Sequence, residues 1–404
     1  MRRLRLLLLV LTGLALIAGC AYAGIRLYFR SDLATLRVAA RLSQVYGAAV
    51  ELDHFDARLN QTAFQGVRFF QIGDLPGDAP WLSIKEARTD LSFMDFAFDQ
   101  TDVSHIELTK PVVTLHFDKE GRLLTRVPKP KEEGRAWPSL AIHQGFFRLQ
   151  QEGHPDFVVN GIEAVLELRK EGLVLEGTIE DPFWGSWQAK GDLNMERLNG
   201  QLRLVNEGTH VTQEKLDALP FVPAATWEDV KLDGETPIDF TFSYDLPADR
   251  FGYLVLARPI RTNVFVSSID LHAVNADGCV RIDNGSVYLE DVHGETADGQ
   301  IATSAEMRCR QQPKEMHFNI AVNRLDLRKL PASWHLQRQL AGRLDGTADL
   351  HVIVRNHQPR TSGQGQGIIK EAHLAGFPVF DLGVLLQANG DTFEFKRIPK
   401  AIKP

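Results

Sequence analysis

Hydrophobic and polar residues change places at every second position over most of this chain. Ile162, Ala164, Leu166 and Leu168 alternate with Glu163, Val165, Glu167 and Arg169, and Ile238, Phe240, Phe242 and Tyr244 alternate with Asp239, Thr241, Ser243 and Asp245. Successive side chains of an extended backbone point to opposite faces, so each run predicts a strand with one apolar and one polar side. Similar runs at 287–292, 317–322 and 344–354 bring the expectation to roughly eighteen strands. Asn199-Gly200, Asp233-Gly234, Asn284-Gly285, Asp298-Gly299 and Asp345-Gly346 read as turns between them, which predicts an antiparallel meander. Helical spacing is rare in this body, clearest at 214–219, with a helical turn near 327–336.

The first residues follow a different pattern. After the basic stub Met1–Arg5, Leu6 to Ile25 is free of charge, and as a helix such a run spans about 30 Å, the hydrocarbon thickness of a bilayer. It predicts a transmembrane helix with Leu6, Leu9, Leu14, Leu16 and Ile25 in the anchor and Tyr28 and Phe29 at the interface. Arg2, Arg3 and Arg5 favour a cytoplasmic N-terminus and a body on the far side. Ile17-Ala18-Gly19-Cys20 also fits a bacterial lipobox, in which Cys20 is lipidated, and cleavage to a soluble product is a third reading. All three place the body outside the cytoplasm. Ser31 to Tyr46 has cap candidates Ser31 and Asp32, apolar Leu33, Leu36, Ala40 and Val45, and Gly47 as a stop. This short amphipathic helix either covers the first edge of the sheet or touches the membrane.

Composition narrows the function classes. The 404 residues are 44% hydrophobic and 24% charged, as in ordinary folded proteins, and the net charge of −7 is spread along the chain. That excludes a basic surface for nucleic acid. No HExxH, GxSxG, Walker loop or strand-borne GxGxxG is present, and βαβ alternation is missing, so neither an enzyme nor a cofactor is expected. Histidines such as His105, His143, His317, His351 and His357 are scattered without ligand spacing, so no metal is expected. Glu290 and Asp291 are adjacent on a strand and would face opposite ways. Cys279 and Cys309 flank different strands with 287–292 between them, which predicts two free thiols. Trp184 and Trp187 straddle Gly185 and suit either a hairpin closure or the lip of a groove. Gly363, Gly365 and Gly367 read as a flexible strand edge.

An ordered series of features adds a family resemblance. The apolar run and the helix ending at Gly47 are followed by a strand from Ala49 to Leu52, a turn at Gln65-Gly66-Val67, and a strand through Leu82 and Ile84 to Asp90-Leu91-Ser92-Phe93. Then comes Ile106-Glu107-Leu108-Thr109-Lys110-Pro111-Val112-Val113-Thr114-Leu115, closed by Asp118-Lys119-Glu120-Gly121. This order resembles the start of the AsmA-like family, which includes TamB-type proteins and is related in architecture to bridge-like lipid transfer proteins. The stretch 205–227 matches no part of that pattern, and members often continue beyond the position of 393–395.

The resemblance implies an elongated, twisted antiparallel sheet curled into an apolar groove for acyl chains. It divides the chain into an anchor at 1–30, an AsmA-like segment at 31–125, a Pro- and charge-rich loop at 126–137, and a continued groove body at 138–404. Leu166, Leu168, Leu173, Leu175, Ile238, Phe240, Phe242, Ile320 and Val322 are the candidate lining, although a closed sandwich core would show the same alternation. The implied partners are the bilayer, a phospholipid or other acyl lipid, and other envelope proteins. The implied role is lipid transfer in outer-membrane biogenesis, from a single inner-membrane pass with the body in the periplasm. A tethered scaffold or adhesion protein without a lipid ligand is the alternative.

Overall fold

A computed structural model describes residues 23–24, 26–74, 78–92, 94–95, 102–119, 121–128, 138–169, 172–194, 197, 199–220, 230–245, 250–267, 270–308, 313–334, 340–355, 358–379, 381–390 and 392–397. The chain is mainly β, with 22 strands among the described residues. It divides into two compact units, Met1–Pro182 and Phe183–Pro404.

In the first unit, helix α1 (Asp32–Tyr46) forms where its caps predict. The Ser31 hydroxyl accepts the Ala34 N–H at 3.4 Å, and Gly47, at φ 90°, closes the last turn by donating to the Ser43 carbonyl. Its buried side carries Ala34, with Val38, Leu42 and Tyr46 packed beside it, onto Phe55, Phe64, Val67 and Ile84. Phe55 is fully buried between the rings of Phe29 and Phe64, at 6.0 and 5.4 Å. The Tyr46 hydroxyl accepts from Trp81 Nε1 at 2.6 Å and donates to the Phe70 carbonyl at 3.3 Å.

The strands of this unit are β1 (Val50–Glu51), β2 (His54–Ala57), β3 (Thr62–Phe69), β4 (Leu82–Thr89), β5 (His105–Phe117), β6 (Ser139–Gln151), β7 (Phe157–Arg169) and β8 (Gly172–Asp181). Strands β1 and β2 pair with β3, and the series β3–β4–β5 and β6–β7–β8 is antiparallel. Between β5 and β6 the pairing is parallel, from His105 opposite Ser139 to Phe117 opposite Gln151, which corrects the expectation of a pure meander. The cause is local. After β5 the Asp118 carboxylate accepts the Arg122 backbone N–H at 2.8 Å and its Nε at 2.6 Å, turning the chain back on itself. The return hydrogen-bonds along β5, Leu124 N to His116 O at 2.8 Å and His116 N to the Thr125 hydroxyl at 2.8 Å, so β6 restarts from the end where β5 began. The loop expected at 126–137 lies outside the described residues beyond 128. Gly66, expected in a turn, lies inside β3 in unbroken register with β4, at φ 61°.

The second unit holds β9 (Gly185–Asn194), β10 (Asn199–Val211), the short helix α2 (Gln213–Asp217), β11 (Val230–Asp245), β12 (Arg250–Ala257), β13 (Ile260–Val266), β14 (Leu271–Asp283) and β15 (Ser286–Thr296). It continues with β16 (Gly299–Arg308), β17 (Lys314–Asp326), β18 (Leu340–Arg355), β19 (Gln358–Leu374), β20 (Phe377–Pro378), β21 (Leu382–Gly390) and β22 (Thr392–Arg397). Here the described pairings are all antiparallel. Strands β12 and β13 follow one another along β11 and are separated at Arg258-Pro259, where proline has no N–H to give the ladder. The helical turn expected near 327–336 appears as two 3-10 turns, Leu327–Lys329 and Ala332–Trp334.

Several expected turns are corrected. Asn284-Gly285 does close the β14–β15 hairpin, and Ala297-Asp298 closes the next, leaving Gly299 in β16. Asn199-Gly200 and Asp345-Gly346 instead lie within β10 and β18, and Gly234 is a bulge in β11. Gly363, Gly365 and Gly367 are not at an edge: β19 is paired on both sides, with β18 and β21.

Candidate functional site: the apolar face of the second unit

Register decides which side chains share a face, because directly opposed residues of antiparallel strands point the same way. One row in this unit runs Leu204, Phe240, Val255, Ile282, Val287, Met307, Met316 and Val352 from β10 to β18. The adjacent row runs Ile238, Ala257, Val280, Leu289, Ala305, Phe318 and Leu350, and reaches Ala388 on β21 across Gly363. The apolar side is therefore unbroken from β10 to β21. The opposite side carries Ser304, Asn319, Asp349, Gln364 and Gln387 in one row, with Asn319, Asp349, Gln364 and Gln387 exposed. There His317 Nε2 lies 3.0 Å from Asp349 Oδ1, and a depression of about 1140 Å³ is lined by this row and Lys396 together with neighbours such as Ala302, Ala321, Thr347, Gln366 and Leu385.

Burial changes along the apolar face. Ile238, Phe240 and Phe242 on β11 are half-buried, as are Ile320 and Val322 on β17. Between β16 and β18 the face closes: Met307, Met316, Phe318 and Leu350 are buried, and Val352 is fully so. Small residues permit this crowding. A Cβ built on Gly365 would lie 2.6 Å from the Thr347 carbonyl oxygen and 2.9 Å from the Ala348 Cβ, and one on Gly367 would lie 2.6 Å from the Asp345 oxygen. Both glycines sit on the apolar side, so the backbones of β18 and β19 approach there more closely than any side chain allows. Two short elements rest on this side. Leu216 of α2, with Leu219, packs among Val211, Leu232, Ile238 and Ile282, and Leu327 packs among Leu340, Ile369 and Val384.

The structure brings Ile238, Phe240, Phe242, Ile320 and Val322 to one face, as the alternation implies. In the first unit Leu166 stands opposite Leu175, and Leu168 opposite Leu173, so these four also share a side; Leu173 is buried and Leu168 is 46% exposed. Sequence reasoning missed Leu204, Val255, Ile282, Met307 and Met316, which lie outside the alternating runs, and passed over Val352 within the run 344–354. The signal of those outside is cross-strand register, which no single segment displays.

The other candidates take structural places. Trp187 Nε1 donates to the Trp184 carbonyl at 2.9 Å, closing the turn into β9. The Arg203 hydrogen bond, at 2.9 Å from Nε, holds the Asp239 carboxyl below its usual range on the polar side. Glu290 pairs with Arg281 at 2.9 Å, while Asp291 takes a bulge conformation at φ 49°. Burial, with the Glu290 charge nearby, raises the Cys279 thiol pKa. Cys309 lies outside the described residues. Among the described residues no His, Cys, Asp and Glu side chains converge into a metal site. Leu6, Leu9, Leu14, Leu16, Cys20 and Ile25 lie outside the described residues, and among those described no helix is long and apolar enough to cross a membrane. No protein-family model matches the chain, and neither a curated protein nor a solved structure matches it.

Proposed function

We propose that this protein is a membrane-attached, non-enzymatic lipid carrier of the AsmA-like type, holding acyl chains on the apolar side of its sheet. The observation that carries the reading is the unbroken apolar side from β10 to β21, over which, among the described residues, only α2 and short 3-10 turns are helical. A one-sided sheet without a covering layer must curl on itself, meet another sheet, or receive a ligand. On this reading a hydrocarbon chain lies along the half-buried β11 face at Phe240 and Phe242. The uncharged run Leu6–Ile25 supports attachment to a bilayer, with the body in the periplasm and the acyl lipid drawn from that membrane.

Photocrosslinking tests this. A benzophenone amino acid replaces Phe240, Ile320, Thr241 or Asn319 in the full chain, in cells fed radiolabelled phosphate. Labelled phospholipid on the Phe240 and Ile320 variants alone supports carriage, and labelling absent everywhere or equal on both faces rejects it.

A second reading, a tethered scaffold whose apolar side is an ordinary core, is favoured by the complete burial of Val352 and Ile369. Under it, Phe240 crosslinks only to protein.

A further inference from the structure

Helix α1 shows two apolar sides, and among the described residues only one of them has a partner. Ala34, Val38, Leu42 and Tyr46 pack on the sheet of the first unit. At 100° per residue, Leu33, Leu36 and Ala40 fall on the opposite side, and there Leu33 is 67% and Leu36 66% exposed. Isolated exposed leucines are common, but the charge beside these is unusual for this chain. Residues 23–46 carry Arg26, Arg30, Arg37 and Arg41 against the single acid Asp32, in a protein whose net charge is −7, and Arg30 is paired with Asp56 of the sheet at 3.4 Å. Arg37 bonds the Tyr28 hydroxyl at 2.6 Å, a neutral partner that leaves its charge uncompensated, and Arg41 is exposed. The uncharged run that ends at Ile25 lies directly before this segment.

We infer that the outer side of α1 is a membrane-docking surface, its leucines seated at the interface of an anionic bilayer and Arg37 and Arg41 on the headgroups. The outer side has what an interfacial helix uses, an apolar stripe with arginines beside it. The inner side, fixed through Phe55, Tyr46 and the Trp81–Tyr46 hydrogen bond, makes the helix a rigid foot for the first unit. Each arginine near an anionic surface should strengthen docking about fivefold. This docking depends only on α1, not on whether the second unit carries lipid.

The test uses the full chain with Cys20, Cys279 and Cys309 replaced by Ser and an environment-sensitive dye on Leu36→Cys, Leu33→Cys or, as a control on the second unit's polar side, Asn319→Cys. The protein is reconstituted in phosphatidylcholine bilayers with or without phosphatidylglycerol, each containing brominated lipid as a quencher. The expected result is severalfold stronger quenching at Leu36→Cys and Leu33→Cys than at Asn319→Cys, reduced by Arg37→Gln with Arg41→Gln and by omitting phosphatidylglycerol. Quenching at both helix positions no stronger than at the control overturns the proposal, as does quenching indifferent to both arginines and lipid charge. Circular dichroism matching the parent establishes that each variant folds. A failed Phe240 crosslink with intact Leu36→Cys quenching would reject lipid carriage alone, and the converse would reject docking alone.

Discussion

The close approach of β18 and β19 on the apolar side can be tested by adding one methyl group. In Gly365→Ala the new Cβ would stand 2.6 Å from the Thr347 oxygen, whereas ordinary contact begins near 3.4 Å, so the strands must part locally. Overpacking of this kind costs about 1–3 kcal/mol, and the stiffer unfolded chain of the alanine variant returns roughly 0.4–1 kcal/mol. A net loss of about 1–2 kcal/mol follows, which lowers the melting temperature of a unit this size by about 2–8 °C. Gln364→Ala and Gln366→Ala, one residue away on the exposed side, should stay within about 0.5 kcal/mol of the parent. Thermal melts of the full chain give the stability, and hydrogen exchange assigns the change to the amides of β18 and β19. A Gly365→Ala protein that melts at or above the parent, with unchanged exchange, would refute the crowding.

Three further outcomes follow from buried contacts. Asp326, buried, accepts from Arg328 Nε at 3.0 Å and Nη2 at 2.8 Å, which holds its carboxyl down from 3.8 to about 2. A carboxylate depressed by folding stabilises above its unfolded pKa and loses that contribution as pH falls through the folded value. Asp326→Asn should therefore cost about 1–2 kcal/mol at neutral pH, trimmed because Arg328 is largely exposed, with the gap to the parent shrinking between about pH 4 and pH 2 in melts across that range. Leu216→Ala should cost about 2 kcal/mol and raise exchange of the α2 amides, with more dye binding to the uncovered apolar side; unchanged exchange would place Leu216 elsewhere. Phe55→Ala removes a fully buried ring and should destabilise the first unit by about 3–5 kcal/mol, read as exchange in β2 and β3 that leaves β16 to β18 unchanged.

The faces of long alternating strands were legible in the chain, because Ile238, Phe240 and Phe242 can share a side only if β11 is extended. The α1 caps were legible for a similar reason: Ser31 and Gly47 each solve a local hydrogen-bonding problem that only a helix end poses. Not every glycine pair marked a turn, although Asn284-Gly285 did. Asn199-Gly200 and Asp345-Gly346 have the residues of a hairpin turn, yet Gly346 lies in β18 where a Cβ would stand 2.6 Å from the Gln366 oxygen. A glycine demanded by a neighbouring backbone and one demanded by positive φ look alike until the partner strand is known. The extent of the apolar side was hidden similarly, since Val255 and Ile282 join it only through register. The parallel β5–β6 pair had no local signature, because its partners are separated by the whole return from Asp118 to Pro138.

That parallel seam bears on how the first unit assembles. The hairpins on either side, β3 with β4 and β7 with β8, join residues close in the chain and can form early at low entropic cost. The seam must wait until the intervening segment has been drawn back along β5, so it closes after its flanks and is the slower, non-local event in this unit. A nascent chain that has emerged only as far as Phe117 thus presents an open β5 edge, a state in which mispairing with another strand competes until β6 arrives.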